Sequence, residues 1–244
     1  MSQSDNTIII ILAAGRGTRM NSDIPKVLHK IIKKSMLNIV IETSKKLNPE
    51  KIIIVVGYKK ELIINTVNDD SITFVNQNKQ LGTGHAIKQC LDEIKNFNGD
   101  ILILSGDVPL IKYSTLNNFI LEHKKRKSYA SLITTSIKNP KGYGRIIKNE
   151  SGQLVNIVEH KDANKDELKI NEINSGIYII NSKALIKNIP LIKNDNAQKE
   201  YYLPDIFNFI HTENTYIYKI NDFIEISGVN TIEQLKNIED SYLK

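Results

Sequence analysis

The sequence predicts an α/β fold: a mostly parallel, mixed central sheet with helices on both faces and an antiparallel extension. Three observations carry this. Thr7–Ile11, Lys51–Val56 and Asp100–Leu104 are near-continuous apolar runs rich in β-branched residues, the pattern of strands buried on both faces. Segments with apolar residues at helical spacing lie between them, as βαβ units require. After residue 130 the strand-like runs follow one another without long helices, which turns the pattern antiparallel or mixed.

Taken in order, Thr7–Ile11 is the first strand. Met36 to Leu47 carries Leu37, Val40, Ile41 and Leu47 on one helical stripe. Lys51–Val56 is the second strand, stopped by Gly57, and Lys59 to Val67 reads as a helix. Ile72–Val75 is the third strand, Gly84 to Ile94 a helix, and Asp100–Leu104 the fourth strand, ended at Ser105-Gly106-Asp107. Ser114 to Lys127 is helical and closes on Lys124-Lys125-Arg126-Lys127, cations that suit a helix C-terminus. The runs 130–136, 145–148, 154–159 and 173–180 are strands. Thr215–Ile220 and Phe223–Ile226 read as two short strands around the turn pair Asn221-Asp222, and Thr231 to Leu243 as an amphipathic helix. The domain reading is therefore one unit over residues 1–230 and a tail helix over 231–244, with no repeat or low-complexity linker.

Composition bounds the function. With 244 residues, 41% hydrophobic and 25% charged, the chain supports a sizeable core. Runs of about eighteen apolar residues are absent, and the N-terminus has no leader-like pattern, so a cytoplasmic protein without a membrane partner is expected. Cys90 is the only cysteine, which excludes an internal disulfide. The net charge of +6 suits small phosphates or nucleic acid as partners, but the lysines are scattered and aromatics are few, so no nucleic-acid partner is expected.

The chemistry concentrates in loops. Leu12-Ala13-Ala14-Gly15-Arg16-Gly17-Thr18-Arg19-Met20, with Lys26 following, leaves the first strand through small residues that let backbone approach a ligand, flanked by the cations Arg19 and Lys26. It is either a phosphate cradle or a plain turn. The dinucleotide G-x-G-x-x-G is excluded because Met20 takes the third glycine position, and Walker A because Lys26 lacks its neighbours. In Gln80-Leu81-Gly82-Thr83-Gly84-His85-Ala86 the glycines permit close approach, Gln77 or Gln80 can read a base edge, and Thr83 is a candidate N-cap. His85 alone reads as structural. Asp107, at the end of a buried strand, needs a partner or a cation, and Mg²⁺ accepts one or two such protein oxygens. Gly142-Tyr143-Gly144-Arg145 is a tight turn, and Glu159, Asn174 and Gly176 sit at strand ends where a sugar is readable. In a parallel sheet, ligands bind beyond the carboxyl ends of the strands, so the loops after the first and fourth strands face one crevice.

The motifs L-A-A-G-R-G-T-R-M with P-K-V-L-H, Q-L-G-T-G-H-A, G-D-V-P-L, G-Y-G-R-I, I-V-E-H-K-D-A, E-I-N-S-G-I-Y, N-A-Q-K-E-Y-Y-L-P-D and G-V-N, in order over nearly the whole chain, resemble the sugar-1-phosphate nucleotidyltransferases. More narrowly, they are similar to the uridyltransferase half of the bacterial N-acetylglucosamine-1-phosphate uridyltransferases. The resemblance implies a Rossmann-like nucleotidyltransferase fold and Mg²⁺-dependent transfer of UMP from UTP to N-acetylglucosamine 1-phosphate. It implies that Leu12, Ala13, Ala14 and Gly15 hold the nucleotide, that Arg19 and Lys26 meet the reacting phosphates as catalytic residues, and that Gln77, Gly82 and Thr83 surround the uracil. Ser105, Gly106 and Asp107 would lie near ribose and metal, Asp107 and Asn230 would hold Mg²⁺, and Gly144, Glu159 and Asn174 would bind the acetylated sugar. Lys199 replaces a glycine of the family pattern, and Ser105 stands where another residue often precedes G-D. The family's hexapeptide-repeat acetyltransferase domain is not expected in this chain, and the sequence leaves the oligomeric state open.

Overall fold

Along the first strand, β1 (Thr7–Leu12), side chains alternate between the two faces of a sheet, and both faces are covered. Ile9 and Ile11 enter one apolar core with Leu37, Val40 and Phe119, whereas Ile8 and Ile10 enter another with Ile53, Ala86 and Leu203. That double burial is why the strand is apolar from Ile8 to Leu12.

The structure is a computed structural model and describes residues 6–242. A small hairpin, β2 (Lys30–Ile31) and β3 (Lys34–Ser35), precedes helix α1 (Met36–Lys45), whose N-cap Ser35 accepts from Asn38 N. Then come β4 (Lys51–Val56), α2 (Lys60–Val67), β5 (Ile72–Asn76), α3 (Thr83–Lys88), α4 (Leu91–Ile94) and β6 (Asp100–Ser105). The second half holds α5 (Tyr113–Arg126), β7 (Ala130–Ser136), β8 (Arg145–Lys148), β9 (Leu154–Val158), β10 (Glu172–Asn181), α6 (Ser182–Asn188), β11 (Thr215–Lys219) and α7 (Ile232–Tyr242). The main sheet runs β11-β7-β10-β6-β1-β4-β5, with β8 and β9 branching from β10. β1 is parallel to β4 and β6, and β4 to β5, as expected; β10 is antiparallel to β6 and β7, and β11 is parallel to β7. The expected α/β class, parallel half and antiparallel extension are all present.

Some elements differ. Phe223–Ile226 is a 3-10 turn, not a strand: Asp222 caps it by accepting from Ile224 N at 3.1 Å, and the buried Glu225 turns inward to take a hydrogen bond from Thr115. The helix expected over 84–94 breaks at Gln89-Cys90 into α3 and α4, because Cys90 N turns back to Ile87 O at 2.9 Å. α6 and the 3-10 segment Leu203–Phe209 add helical cover that the periodicity did not indicate. Leu243, the end of the expected tail helix, lies outside the described residues. α7 itself is docked: Ile238 is buried with Met20, Ile31, Met36, Ile39 and Val229. No helix among the described residues is long and apolar enough to cross a membrane. The cationic end of α5 is engaged locally, with Arg126 stacked 4.1 Å above the Tyr216 ring and paired with Glu122.

Candidate active site

Two adjoining clefts open beyond the carboxyl ends of β1, β5 and β6, beside the amino-terminal part of the antiparallel β10. The larger, about 390 Å³, is lined by Leu12, Ala13, Ala14, Gly15, Lys26, Gln77, Gly82, Thr83, Ser105 and Asp107, together with Arg16, Gly17, Gln80 and Glu200. The smaller, about 190 Å³, is lined by Tyr143, Gly144, Glu159, Asn174, Ser175, Gly176 and Pro204. Leu12, Thr83 and Ser105 line both, so the two spaces meet at the ends of β1 and β6.

Backbone bonds fix this geometry. Gly106 N donates to Leu12 O at 2.9 Å and Ala13 N to Val55 O at 2.9 Å, locking the small-residue loop to its neighbours. Gly106 is thereby packed behind the loop rather than lining either cleft. Gly17 takes φ +62°, and a Cβ there would lie 2.5 Å from Lys26 Cβ, so the glycine is needed to bring Lys26 in. Val229 N donates to Asp107 O at 2.9 Å, which draws the loop before α7 across the crevice and delivers Asn230.

Four predicted residues converge there. Lys26 Nζ donates to Asp107 Oδ2 and, at 2.9 Å, to Asn230 Oδ1, and Arg19 Nη2 reaches the same Asn230 oxygen at 2.9 Å. One carboxylate and one amide oxygen thus share the Lys26 ammonium, and the amide oxygen takes the Arg19 guanidinium as well, although the two residues stand 123 positions apart in sequence. Across the cleft, Gln77 is buried and its Nε2 donates to Gly82 O at 3.0 Å. The glycine loop is held by Gly84 N to Tyr201 O at 2.7 Å and Tyr201 N to Leu81 O at 2.8 Å. Thr83 is not the N-cap of α3. Gly82 occupies that position, and Thr83 Oγ1 instead accepts from Leu203 N at 3.0 Å, tying the loop to the 3-10 segment.

In the smaller cleft a register shift in β10 between Asn174 and Tyr178, with Gly176 at φ +78°, turns Asn174 to Gly176 into the space. Asn174 Nδ2 donates to Tyr178 OH at 2.6 Å and Asn174 N to Gly144 O at 2.9 Å. Glu159 makes no side-chain hydrogen bond among the described residues. Burial first, and then Asp205, Asp162 and Glu200 nearby, push its carboxyl up to about 7. Burial and Asp162 raise Asp205 to about 6. Burial and the Asp107 charge also raise the Tyr143 phenol. Arg145, read as the end of a turn and the start of a strand, is fully buried with its guanidinium on Tyr143 O and 3.4 Å from His160 Nδ1.

Arg16, Glu200 and Tyr143 line the clefts without having been singled out. Arg16 lay inside the opening motif, 5.3 Å over the Tyr58 ring, and Glu200 inside N-A-Q-K-E-Y-Y-L-P-D, whose distance in sequence hid its approach to the cleft.

A nucleotidyl transferase family model matches residues 8–223. The chain is 46% identical over 230 residues to the bifunctional protein GlmU of Thermosipho melanesiensis, covering 94% of this chain and 49% of that protein. It is 44% identical over 227 residues to the GlmU of Clostridium acetobutylicum, covering 93% and 50%. The chain spans about half the length of the curated relatives it matches. Among solved structures, a UDP-glucose pyrophosphorylase complexed with UDP-glucose superposes with a TM-score of 0.74 at 19% identity, over 97% of this chain and 98% of that one. HddC from Yersinia pseudotuberculosis complexed with GMP-PN gives 0.68 at 22% identity, over 96% and 99%. The match to nearly the whole sheet, from β1 to the 3-10 turn after β11, makes this chain a member of the nucleotidyl transferase family.

Proposed function

We propose that this chain transfers UMP from UTP to N-acetyl-α-D-glucosamine 1-phosphate, giving UDP-N-acetylglucosamine and pyrophosphate. Residues 1–230 are the catalytic unit in this reading and 231–244 a tail helix. The observation that carries it is the convergence of Arg19, Lys26, Asp107 and Asn230 beside the larger cleft, which Lys26 and Asp107 line and which adjoins the smaller cleft at Leu12, Thr83 and Ser105. The similarity to the GlmU proteins supports the choice of uridine and of the acetylated sugar.

The chain's own residues do most of the work by position. The small-residue loop 12–15 offers backbone to the triphosphate, and Lys26 and Arg19 supply charge beside it. A sugar-phosphate oxygen attacks the α-phosphorus, an O–P bond forms, and the bond to the bridging oxygen of pyrophosphate breaks in line. The attacking phosphate is already ionised near neutral pH, so no protein base is needed; orientation and charge neutralisation carry the barrier. Lys26 and Arg19 stabilise the charge that builds on the transferring group and on the leaving pyrophosphate.

Asp107 and Asn230 fit Mg²⁺. They are hard oxygen donors that already converge on one cation, the Lys26 ammonium, and two protein oxygens suit an ion that keeps phosphate and water as its other ligands. Bound there, Mg²⁺ would neutralise phosphate charge and act as a Lewis acid. In the sugar cleft, Gly144, Glu159 and Asn174 present a carboxyl and an amide to hydroxyls and to the acetamido group.

Pyrophosphate release measured for UTP, dTTP, CTP and GTP against acetylated and unacetylated sugar phosphates tests this. UTP with N-acetylglucosamine 1-phosphate is expected to be fastest. A strong preference for glucose 1-phosphate would overturn the acetamido assignment of Gly144, Glu159 and Asn174.

A further inference from the structure

We infer that His85 is a positioning residue that sets which face of the Gln77 amide meets the nucleobase, and through it the preference for uracil over cytosine. This rests on the proposal that the larger cleft holds a uridine nucleotide with Gln77 beside its base.

Gln77 follows β5, is 3% exposed, and is anchored by its own N–H to Val56 O at 2.7 Å. Its Nε2 faces two acceptors: Gly82 O at 3.0 Å and His85 Nδ1 at 3.0 Å. An amide nitrogen carries two hydrogens, so both contacts are satisfied only with nitrogen on that side. Turning the amide over would set Oε1 against a carbonyl oxygen and a ring lone pair. Oε1 is thereby left as the free end; it accepts no hydrogen bond among the described residues, and Gln77 lines the cleft.

That end is an acceptor. Uracil presents an N3–H donor at its pairing edge, whereas cytosine presents a bare N3 and an amino group. A fixed Oε1 accepts from the first and repels the lone pair of the second. A pyrimidine of uracil type is selected by one amide orientation, and the orientation is held by two acceptors, of which only His85 is a side chain.

His85 must offer Nδ1 as a lone pair, so its proton belongs on Nε2. The environment favours the neutral ring: burial and the Lys88 charge hold its pKa below the ordinary histidine value. On the other side, Gln89 Nε2 lies 3.3 Å from His85 Nε2 and donates to His85 O at 3.1 Å. A proton on His85 Nε2 therefore requires Gln89 to turn its amide over and give that bond up, which solvent at the partly exposed rim can replace. The buried Gln77 has no such freedom, so it decides the tautomer.

The test is kcat/KM for UTP and for CTP, read by pyrophosphate release. Wild type is expected to prefer UTP. His85→Leu should lower the UTP/CTP ratio about tenfold, the worth of one buried hydrogen bond, with kcat on UTP changed by no more than about twofold. His85→Asn, which keeps an acceptor oxygen near the Nδ1 position, should restore the ratio. If His85→Leu leaves the ratio unchanged, or slows both nucleotides equally, His85 is only structural and the inference fails. Gln77→Leu separates the two levels: it should abolish the discrimination, and a ratio unaffected by that change would overturn the nucleobase assignment itself and the inference with it. Imidazole ¹⁵N NMR of the wild-type protein needs no variant to fold: protonation on Nε2 is expected, and a proton on Nδ1 would contradict the assignment.

Discussion

Single residues carry costs that function or history explains. Lys199, where the family pattern has glycine, sits at φ +56°, a left-handed conformation that disfavours a side chain by about 1 kcal/mol. Among the described residues its ammonium reaches only the exposed Asp195 at 3.5 Å, a contact too weak to offset the strain. Lys199→Gly is expected to raise Tm by about 2 °C in a melt, whereas Lys199→Ala, which keeps a Cβ, should not. Glu159 is a cost of the other kind. Its carboxyl rises from 4.5 unfolded to about 7 folded, so the folded state holds the proton more tightly. Stability is therefore highest below about pH 4.5 for this group, falls as pH climbs through 4.5 to 7, and stays lower above it, by about 3 kcal/mol in total. Glu159→Gln, which does not ionise, should be more stable than wild type at pH 8 and show little difference at pH 5. Denaturant titrations at the two pH values check this, and equal gaps at both would contradict the pH linkage. Glu159 is a candidate from its place at a strand end and from the resemblance, and the fold sets it in the wall of the smaller cleft. Its raised pKa was not readable, because burial, the main cause, and the approach of Asp205 and Glu200 come only with the fold, although Asp162 lies three residues on.

At the scale of elements, the glycine loops show how local sequence becomes geometry. Gly82 has φ +106°, and a Cβ there would meet Tyr201 O at 2.6 Å and Tyr201 N at 2.8 Å, both backbone atoms that cannot yield. Gly142 has φ +88° with nothing within 4 Å of the same position. Gly82→Ala should therefore destabilise by about 3 kcal/mol and weaken nucleotide binding, while Gly142→Ala should cost only the backbone strain, about 1 kcal/mol. Thermal melts and UTP titrations measure both. The strands of the parallel half were readable because burial on both faces forces an unbroken apolar run. The short elements were not. α6 spans seven residues, and the turn at Phe223–Ile226 has the composition of a strand but is shaped by Glu225 turning inward to Thr115 and Lys112. The break between α3 and α4 likewise leaves no mark in the apolar spacing, since Ala86, Ile87, Cys90 and Ile94 all stay buried.

At the scale of the molecule, the sheet order explains why distant residues meet. β10 inserts antiparallel between β6 and β7, bringing Asn174 beside the ends of β1 and β6, and the loop before α7 returns over Asp107 to deliver Asn230. The resemblance paired these residues with a shared site, and the spacing alone gave no reason for it, because an antiparallel or mixed extension does not say between which strands a run such as Glu172–Asn181 inserts. The central claim is that Arg19 and Lys26 face the reacting phosphates of a uridyl transfer. Its most direct measurement is the rate at which UDP-N-acetylglucosamine forms from UTP and N-acetylglucosamine 1-phosphate in Mg²⁺, for wild type and for Arg19→Ala. The account predicts product with wild type, and a folded Arg19→Ala protein slowed about a hundredfold, near 3 kcal/mol of lost charge stabilisation. Arg19→Ala turning over at the wild-type rate would contradict it.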